Sequence, residues 1–373
     1  MEVVLNVSSG IATTKCYISA NGVRDNKSVN CEKAINRYFQ SQGNSVDITF
    51  ESITFSVSHG FRKGRKEILH NINGNFPSGQ LIAIIGPSGA GKTTLLDVLS
   101  GFRVSGTEGT IYTKGRPRNL NIFKKMSCYI GQYNHLQKFL SVWENMEFVS
   151  DLKLGPYVSR EEKHLKIKDI LRTLFLDKCA NSRVSCLSGG QQKRLSIALE
   201  LIDNPLVMFL DEPTTGLDSS SCSQCVKLLQ KLTRQGKTII CTLHQPSASL
   251  FHLFDHVYVL ADGKCIYNGS TKNLVPYLKS VNMPCPQYYN PADYVIELAC
   301  SEYGNDVIKI MTEATNNGKS RYWMEESKSL GIFKDLNDVT HLTAESSELQ
   351  KPSQYHQLKV LLRRDMLKSR RNT

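Results

Sequence analysis

Leu81-Ile82-Ala83-Ile84-Ile85-Gly86-Pro87-Ser88-Gly89-Ala90-Gly91-Lys92-Thr93 is the stretch on which the fold turns. Its first five residues are an unbroken aliphatic run, the mark of a strand buried on both faces, and Lys92 to Leu99 continues as a helix. Between them lies G-x-x-x-x-G-K-[ST], in the strand, loop and helix context that its mechanism requires. Glycines let backbone N–H groups close around phosphate oxygens, and the helix N-terminus adds its dipole. Lys92 neutralises β/γ charge, and the Thr93 hydroxyl can ligate magnesium. Thr94, next in line, completes the set of nucleotide-binding candidates.

Further along, Leu206-Val207-Met208-Phe209-Leu210 is a second aliphatic strand, ending in the adjacent acids Asp211 and Glu212. A carboxylate at that end of a buried strand is where a P-loop protein holds magnesium, so Asp211 takes that role. Glu212 is left beside the γ-phosphate as a general base. A solvated acidic turn before Pro213 is the alternative. Short aliphatic strands at 206–211, 238–243 and 256–260 alternate with helix-length segments, and 134–186 is patterned as helix. Ile48 to Val57 is β-branched and aromatic, followed by a basic, Gly-containing turn over His59–Lys66. The expectation is an α/β core with an antiparallel β portion and a helical insertion.

The chain has 373 residues, 46 Lys+Arg against 34 Asp+Glu, a net charge of +12 and 40% apolar residues. These values exclude wholesale disorder and a fibrous repeat. The longest aliphatic runs are far shorter than the roughly 20 residues of a membrane helix, and no secretory signal opens the chain. An odd total of 11 cysteines, scattered through apolar stretches, reads as reduced thiols of a cytosolic protein. Cys222 and Cys225 have C-x-x-C spacing without a second pair or nearby His, so no zinc site is assigned. Residues 1–46 are polar and read as a flexible leader. A domain-sized core spans 47–300, with its helical part at about 134–200, and 301–353 turns to a Ser, Glu, Asn, Lys and Thr linker. The last stretch, 354–373, is a basic amphipathic helix. Tyr355, Leu358, Leu361, Leu362 and Met366 fall on one side, with Lys359, Arg363, Arg364, Lys368, Arg370 and Arg371 around them.

Leu187-Ser188-Gly189-Gly190-Gln191, before an apolar-periodic helix, sets a second glycine turn at a second helix N-terminus, another anion site. Read blandly, it is a capped helix start. One P-loop embraces one side of a triphosphate, so a second phosphate-gripping turn points to ATP clamped between two surfaces. With no internal repeat, the second surface comes from another subunit.

With these motifs in order, the sequence resembles an ATP-binding cassette (ABC) nucleotide-binding domain over roughly 48–300. Gln132 in Tyr129-Ile130-Gly131-Gln132 resembles the Q-loop glutamine, which contacts magnesium and reports to a transmembrane partner. Ser188, Gly189, Gly190 and Gln191 match the family signature. Asp218 in Gly216-Leu217-Asp218 resembles the D-loop at the dimer interface, and His244 in Leu243-His244-Gln245-Pro246 resembles the switch histidine on the γ-phosphate. Phe55 lies where the family places an adenine-stacking aromatic; a core Phe is the other reading. Thr214 to Asp218, His244 to Ser247 and Asn290 to Tyr294 resemble the G subfamily, the White-type half-transporters, nearest to its sterol and lipid exporters.

That resemblance implies a P-loop NTPase core of ABC type with a helical signature subdomain, ATP and Mg2+ as ligands, and ATP hydrolysis driving export. A second half-transporter, as homo- or heterodimer, is the implied partner. Only 47 residues precede the cassette, too few for six spans, so the transmembrane domain is expected after residue 373, which makes this chain a fragment or truncated form. The terminal helix then resembles the connecting helix along the inner membrane face. The rival readings are a soluble ABC ATPase acting on nucleic acid or ribosomes, which the positive charge could serve, and a non-catalytic regulatory subunit.

Overall fold

The computed structural model describes residues 4–9, 12–17, 45–58, 64–133, 136–300, 305–324 and 352–371. Met1–Asn44 forms a unit of its own, in which β1 (Val4–Ser9) and β2 (Ala12–Tyr17) pair antiparallel, Val4 opposite Tyr17. This hairpin stands where the sequence reading expected no elements. Neither VLNVSS nor ATTKCY alternates apolar with polar residues or forms an aliphatic run, so neither carries a strand signal. The remainder of the expected leader lies outside the described residues.

The second unit, Ser45–Thr373, begins with β3 (Ile48–Ser58), β4 (Arg65–Phe76) and β5 (Leu81–Ile85). The basic turn expected between β3 and β4 falls mostly outside the described residues. Then follow α1 (Lys92–Ser100), β6 (Thr107–Thr113), β7 (Arg116–Pro117), α2 (Leu120–Met126) and β8 (Ser127–Ile130). The helical stretch holds α3 (Val142–Leu154), α4 (Arg160–Thr173) and α5 (Gly189–Leu201). Beyond it come β9 (Val207–Leu210), α6 (Ser219–Thr233), β10 (Thr238–Thr242), α7 (Ala248–Phe251), β11 (His256–Ala261), β12 (Lys264–Ser270), α8 (Leu274–Ser280), α9 (Pro291–Ala299), α10 (Asn305–Ala314) and α11 (Gln354–Arg371).

One sheet has the order β12-β11-β5-β10-β9-β8, with every neighbouring pair parallel except β11–β12. A smaller antiparallel sheet runs β4-β3-β6-β7. The aliphatic run of β5 is explained by where its two faces go. Leu81, Ala83 and Ile85 join a core with α5, α6 and the helices beyond, whereas Ile82 and Ile84 join one with α1 and the antiparallel sheet. β9 and β10 divide the same way: Met208, Leu210, Ile239 and Cys241 on one side, Val207, Phe209 and Ile240 on the other. Full burial of each such side chain is worth about 1.5–3 kcal/mol, which is why no polar alternation appears.

Ser141 and Ser159 each form a capping box, with Glu144 and Glu162, and these set the starts of α3 and α4. The core does not stop near residue 300. Met311 and Thr315 are buried, Asn317 Nδ2 donates to the carbonyls of His70 (2.8 Å) and Asn71 (2.9 Å), and its Oδ1 accepts from the Cys265 N–H (2.8 Å). Residues 305–324 thus stitch β12 to β4 instead of opening a linker. Side-chain capture of backbone groups by Asn and Thr is what makes this polar stretch fold. The rest of the expected linker, 325–351, lies outside the described residues.

Helix α11 forms as the sequence periodicity predicts. It docks on α3 through Val360, which clusters with Leu140 and Phe148, while Arg363 sits over the Phe148 ring. Arg371 makes a bidentate pair with Glu144 at 2.6 and 2.8 Å. Tyr355, Leu358, Leu362 and Met366 remain exposed. Among the described residues no helix is long and apolar enough to cross a membrane.

Candidate active site

The P-loop turns from the end of β5 into α1. Gly86 (φ 149°) lies so close to the Leu260 carbonyl that a methyl group there would collide with it, and Gly91 (φ 102°) starts the helix in a conformation L side chains rarely adopt. Lys92 is buried, and its ammonium donates to the carbonyls of Gly86 (2.8 Å) and Pro87 (2.9 Å). Burial lowers its pKa from the ordinary lysine value, against the opposing pull of Glu212 and Asp211. Ser88, Gly89 and Thr93 are exposed, Ala90 is buried and Thr94 is half-buried, so the loop offers its outer rim to solvent.

Asp211 and Glu212 follow β9, and a chain of hydrogen bonds ties them to neighbouring elements. The Thr93 hydroxyl donates to Asp211 Oδ1 (3.1 Å), and Gln132, after β8, donates its amide to Glu212 Oε2 (2.9 Å). Thr215 Oγ1 also donates to Glu212 Oε2 (3.0 Å). Glu212 has φ 44°, a left-handed conformation for a non-glycine residue. At the end of β10, the Thr242 hydroxyl meets Asp211 Oδ1 (2.6 Å) and the Glu212 N–H (2.9 Å). His244 lies two residues further on, exposed, in a cavity of about 320 Å3 shared with Thr214, Thr215 and Leu217. The residues singled out as Lys92, Thr93, Gln132, Asp211 and Glu212 therefore come together.

The signature turn is placed differently. Ser188 Oγ accepts from the Gln191 N–H (3.3 Å) and Gln191 Oε1 from the Ser188 N–H (2.9 Å), a capping box that starts α5. Gly190 sits hard against Ser221 at the start of α6, where any side chain would clash. Asp218 caps α6 through the Ser221 N–H (3.0 Å), and hydrogen bonding from the Ser221 side chain, then from its N–H, lowers the Asp218 pKa. Ser188, Gly189 and Asp218 are exposed. Lys193, one turn into α5, is buried and donates to the Gly131 carbonyl (3.0 Å), so the signature helix is tied to the backbone beside Gln132.

Phe55 needs correcting. It is 3% exposed and belongs to the core with Ile53, Leu69 and Ile111, so its ring is not available to stack on a base. A strand aromatic reads alike in sequence whether it faces the core or a ligand. Thr215, Thr242 and Lys193 carry no site signal in the sequence: Thr215 reads as an ordinary turn residue, Thr242 in an apolar strand shows only β propensity, and a Lys in a helix reads as solvated.

The donor set suits a hard cation. Thr93, Asp211 and Gln132 offer a hydroxyl, a carboxylate and an amide, all oxygen donors, with the single carboxylate usual where phosphates complete a magnesium shell. Among the described residues no cluster of three or more His, Cys, Asp or Glu could hold a metal by itself. Nine cysteines whose side chains are described, Cys222 and Cys225 among them, are free thiols.

A P-loop, a carboxylate pair after β9 and a glycine turn at α5 on this two-sheet core define an ABC-type ATPase domain. Family models agree: one described as ABC transporter matches residues 69–215, and one described as ABC-2 type transporter matches 244–366. A dimeric bacterial ABC transporter cassette superposes with a TM-score of 0.52 at 28% identity, over 60% of this chain and 98% of that one. A dimeric cassette in a post-hydrolysis state bound to ADP and Pi gives 0.52 at 27%, with the same coverage.

The chain belongs to the ABC transporter family, G subfamily. It is 39% identical over 267 residues to ABC transporter G family member 1 of Dictyostelium discoideum (68% of this chain, 34% of that protein). To the broad substrate specificity transporter ABCG2 of Sus scrofa it is 40% identical over 270 residues (69% and 41%). Human sub-family G member 8 matches at 33% over 285 residues (73% and 42%). The chain spans 34–42% of the length of these relatives. Both family models describe transporters, so the nucleic-acid alternative finds no support.

Proposed function

We propose that this chain is the ATP-binding and ATP-hydrolysing part of a half-transporter that exports a lipid, sterol or other amphipathic substrate, working at the cytosolic face of a membrane. Two cassettes, identical or not, meet head to tail, with each ATP between Gly86–Thr93 of one and Ser188–Gln191 of the other. The Thr93, Asp211, Glu212 and Gln132 network beside Lys92 carries this reading, because it gathers a phosphate cradle and a carboxylate on one edge of the parallel sheet. Exposure of Ser188 and Gly189 suits a turn that serves a second subunit.

Within the site, Lys92 exchanges its loop carbonyls for phosphate oxygens. Glu212, steered by Gln132 and Thr215, orients a water in line with the γ-phosphorus and takes its proton as the new P–O bond forms and the bond to the β-phosphate oxygen breaks. His244 donates to the transferring phosphoryl, and Asp218 crosses toward the other cassette. Thr93, Asp211 and Gln132 would hold magnesium, whose charge neutralises the triphosphate. Helix α11 lies along the inner leaflet or against the membrane-spanning part of the transporter, its exposed Tyr355, Leu358, Leu362 and Met366 turned to apolar surroundings. Anionic lipid would favour each nearby Lys or Arg by about 1 kcal/mol.

The test is Glu212→Gln, an isosteric change that keeps hydrogen-bonding capacity and removes the base. With Mg·ATP it should abolish turnover and leave an ATP-retaining dimer by light scattering. Unchanged turnover removes Glu212 from its role, and a monomer at every ATP concentration overturns the sandwich.

A further inference from the structure

We propose that Thr242 is a positioning residue for the hydrolytic step, one hydroxyl setting both the carboxylate of Asp211 and the backbone of Glu212. The inference rests on the ATPase reading above and adds a residue to that site. Thr242 is fully buried at the end of β10, between β5 and β9. A hydroxyl carries one hydrogen and two lone pairs, and an ionised carboxylate only accepts, so the chemistry fixes the direction of both bonds. The single hydrogen of Thr242 goes to Asp211 Oδ1 at 2.6 Å, and a lone pair takes the Glu212 N–H at 2.9 Å.

Three consequences follow from that geometry. Thr93 donates to the same oxygen, Oδ1, at 3.1 Å, so hydroxyls from α1 and β10 together fix the rotation of the Asp211 carboxylate. The Glu212 peptide is pinned at the residue whose φ is 44°, so its side chain leaves the backbone in one direction, toward Gln132 and Thr215. The strand that supplies Thr242 also leads into His244, two residues on, so the base and the histidine share one anchor. Serine retains both bonds. Valine, of the same shape, removes both and leaves a buried N–H unpaired.

The test uses the 373-residue chain with ATP and compares the parent, Thr242→Val and Thr242→Ser. Binding of Mn2+ to the ATP-loaded protein is followed by electron paramagnetic resonance, a readout independent of turnover, and kcat is measured against Mg2+ and against ATP. Thr242→Val should raise the half-saturating Mn2+ and Mg2+ concentrations by about tenfold or more and depress kcat similarly, with KM for ATP moving less than about threefold. Thr242→Ser should recover most of both losses. If valine prevents folding, as judged by circular dichroism, Thr242→Ala, which leaves room for a water at the amide, carries the same expectation. Parent-like metal binding and kcat in the Val or Ala variant, or a Ser variant as impaired as Val, overturns the proposal. Should the parent bind Mn·ATP without hydrolysing it, the ATPase reading fails while the resonance titration still decides the role of Thr242. A parent that binds no Mn·ATP overturns both.

Discussion

Lys193→Met separates stability from turnover. Lys193 is 4% exposed on α5, and its ammonium donates to neutral carbonyls, Gly131 at 3.0 Å and Gln132 at 3.5 Å. Burial lowers its pKa from the ordinary lysine value, with Asp211 and Glu212 among the groups that oppose the shift. A buried cation costs several kcal/mol in desolvation, which the bonds of a charged donor, at about 1.5–3 kcal/mol each, roughly offset. Methionine keeps the length of the stem and discards both terms while leaving the two carbonyls unpaired, so the unfolding free energy should fall by only about 1–2 kcal/mol, a melting shift of a few degrees. Turnover should behave otherwise. With the Gly131–Gln132 backbone released, the 2.9 Å bond from Gln132 to Glu212 loses its footing, and kcat should fall roughly tenfold, the ~1.4 kcal/mol of one positioned hydrogen bond. Lys193→Ala is the control: it leaves the same carbonyls unpaired and also deletes buried methylenes, which should cost about 2–4 kcal/mol more than methionine. The assays are thermal unfolding without nucleotide and steady-state phosphate release at saturating Mg·ATP. A Met variant that melts like the Ala variant yet turns over like the parent would refute the reasoning, since the ammonium would then hold the fold and not the glutamine.

Two further outcomes are expected. His256, buried between Phe76 and Asn268, has its imidazole pKa pushed down by burial to about 4, so the fold favours the neutral ring. Stability from that preference is complete above the ordinary value of 6.5 and is lost as pH falls from there through 4, by up to about 3 kcal/mol; urea unfolding of the parent across that range should show this slope and His256→Gln should flatten it. Arg371→Ala removes the bidentate pair that helps hold α11 to α3, worth about 1 kcal/mol at a partly exposed site. Amide exchange in α11 should quicken several-fold, with the main melting transition unmoved.

How far the sequence carried the fold depended on whether a residue's role was fixed by its local pattern. β5, β9, β10 and β11 were legible because strands with both faces buried are built around short aliphatic runs, with polar residues confined to their ends in β10 and β11. The P-loop and the Asp211–Glu212 pair were legible because backbone phosphate binding demands glycines and a lysine at fixed spacing. What stayed hidden was decided at a distance. Asn317 is an ordinary polar residue until β4 and β12 bring backbone groups to both ends of its amide. Phe55 has the same neighbours in sequence whichever way it points, and register shifts within β3 put Phe50, Ile53 and Phe55 all on the buried face, which strict alternation would not. Helix α11 was expected from its apolar stripe, yet the residue it buries deepest is Val360, whose partner Phe148 lies more than two hundred positions earlier.

Glu212 carries one more implication. Holding an L-amino acid in a left-handed backbone costs about 1–2 kcal/mol, relieved by glycine and eased by asparagine. Variants sorted only for heat resistance should therefore drift toward Gly or Asn at this codon, yielding a sturdier protein that no longer works. Durability and labour are set against each other at a single residue, and any campaign to toughen this chain must keep selecting for phosphate release as it goes.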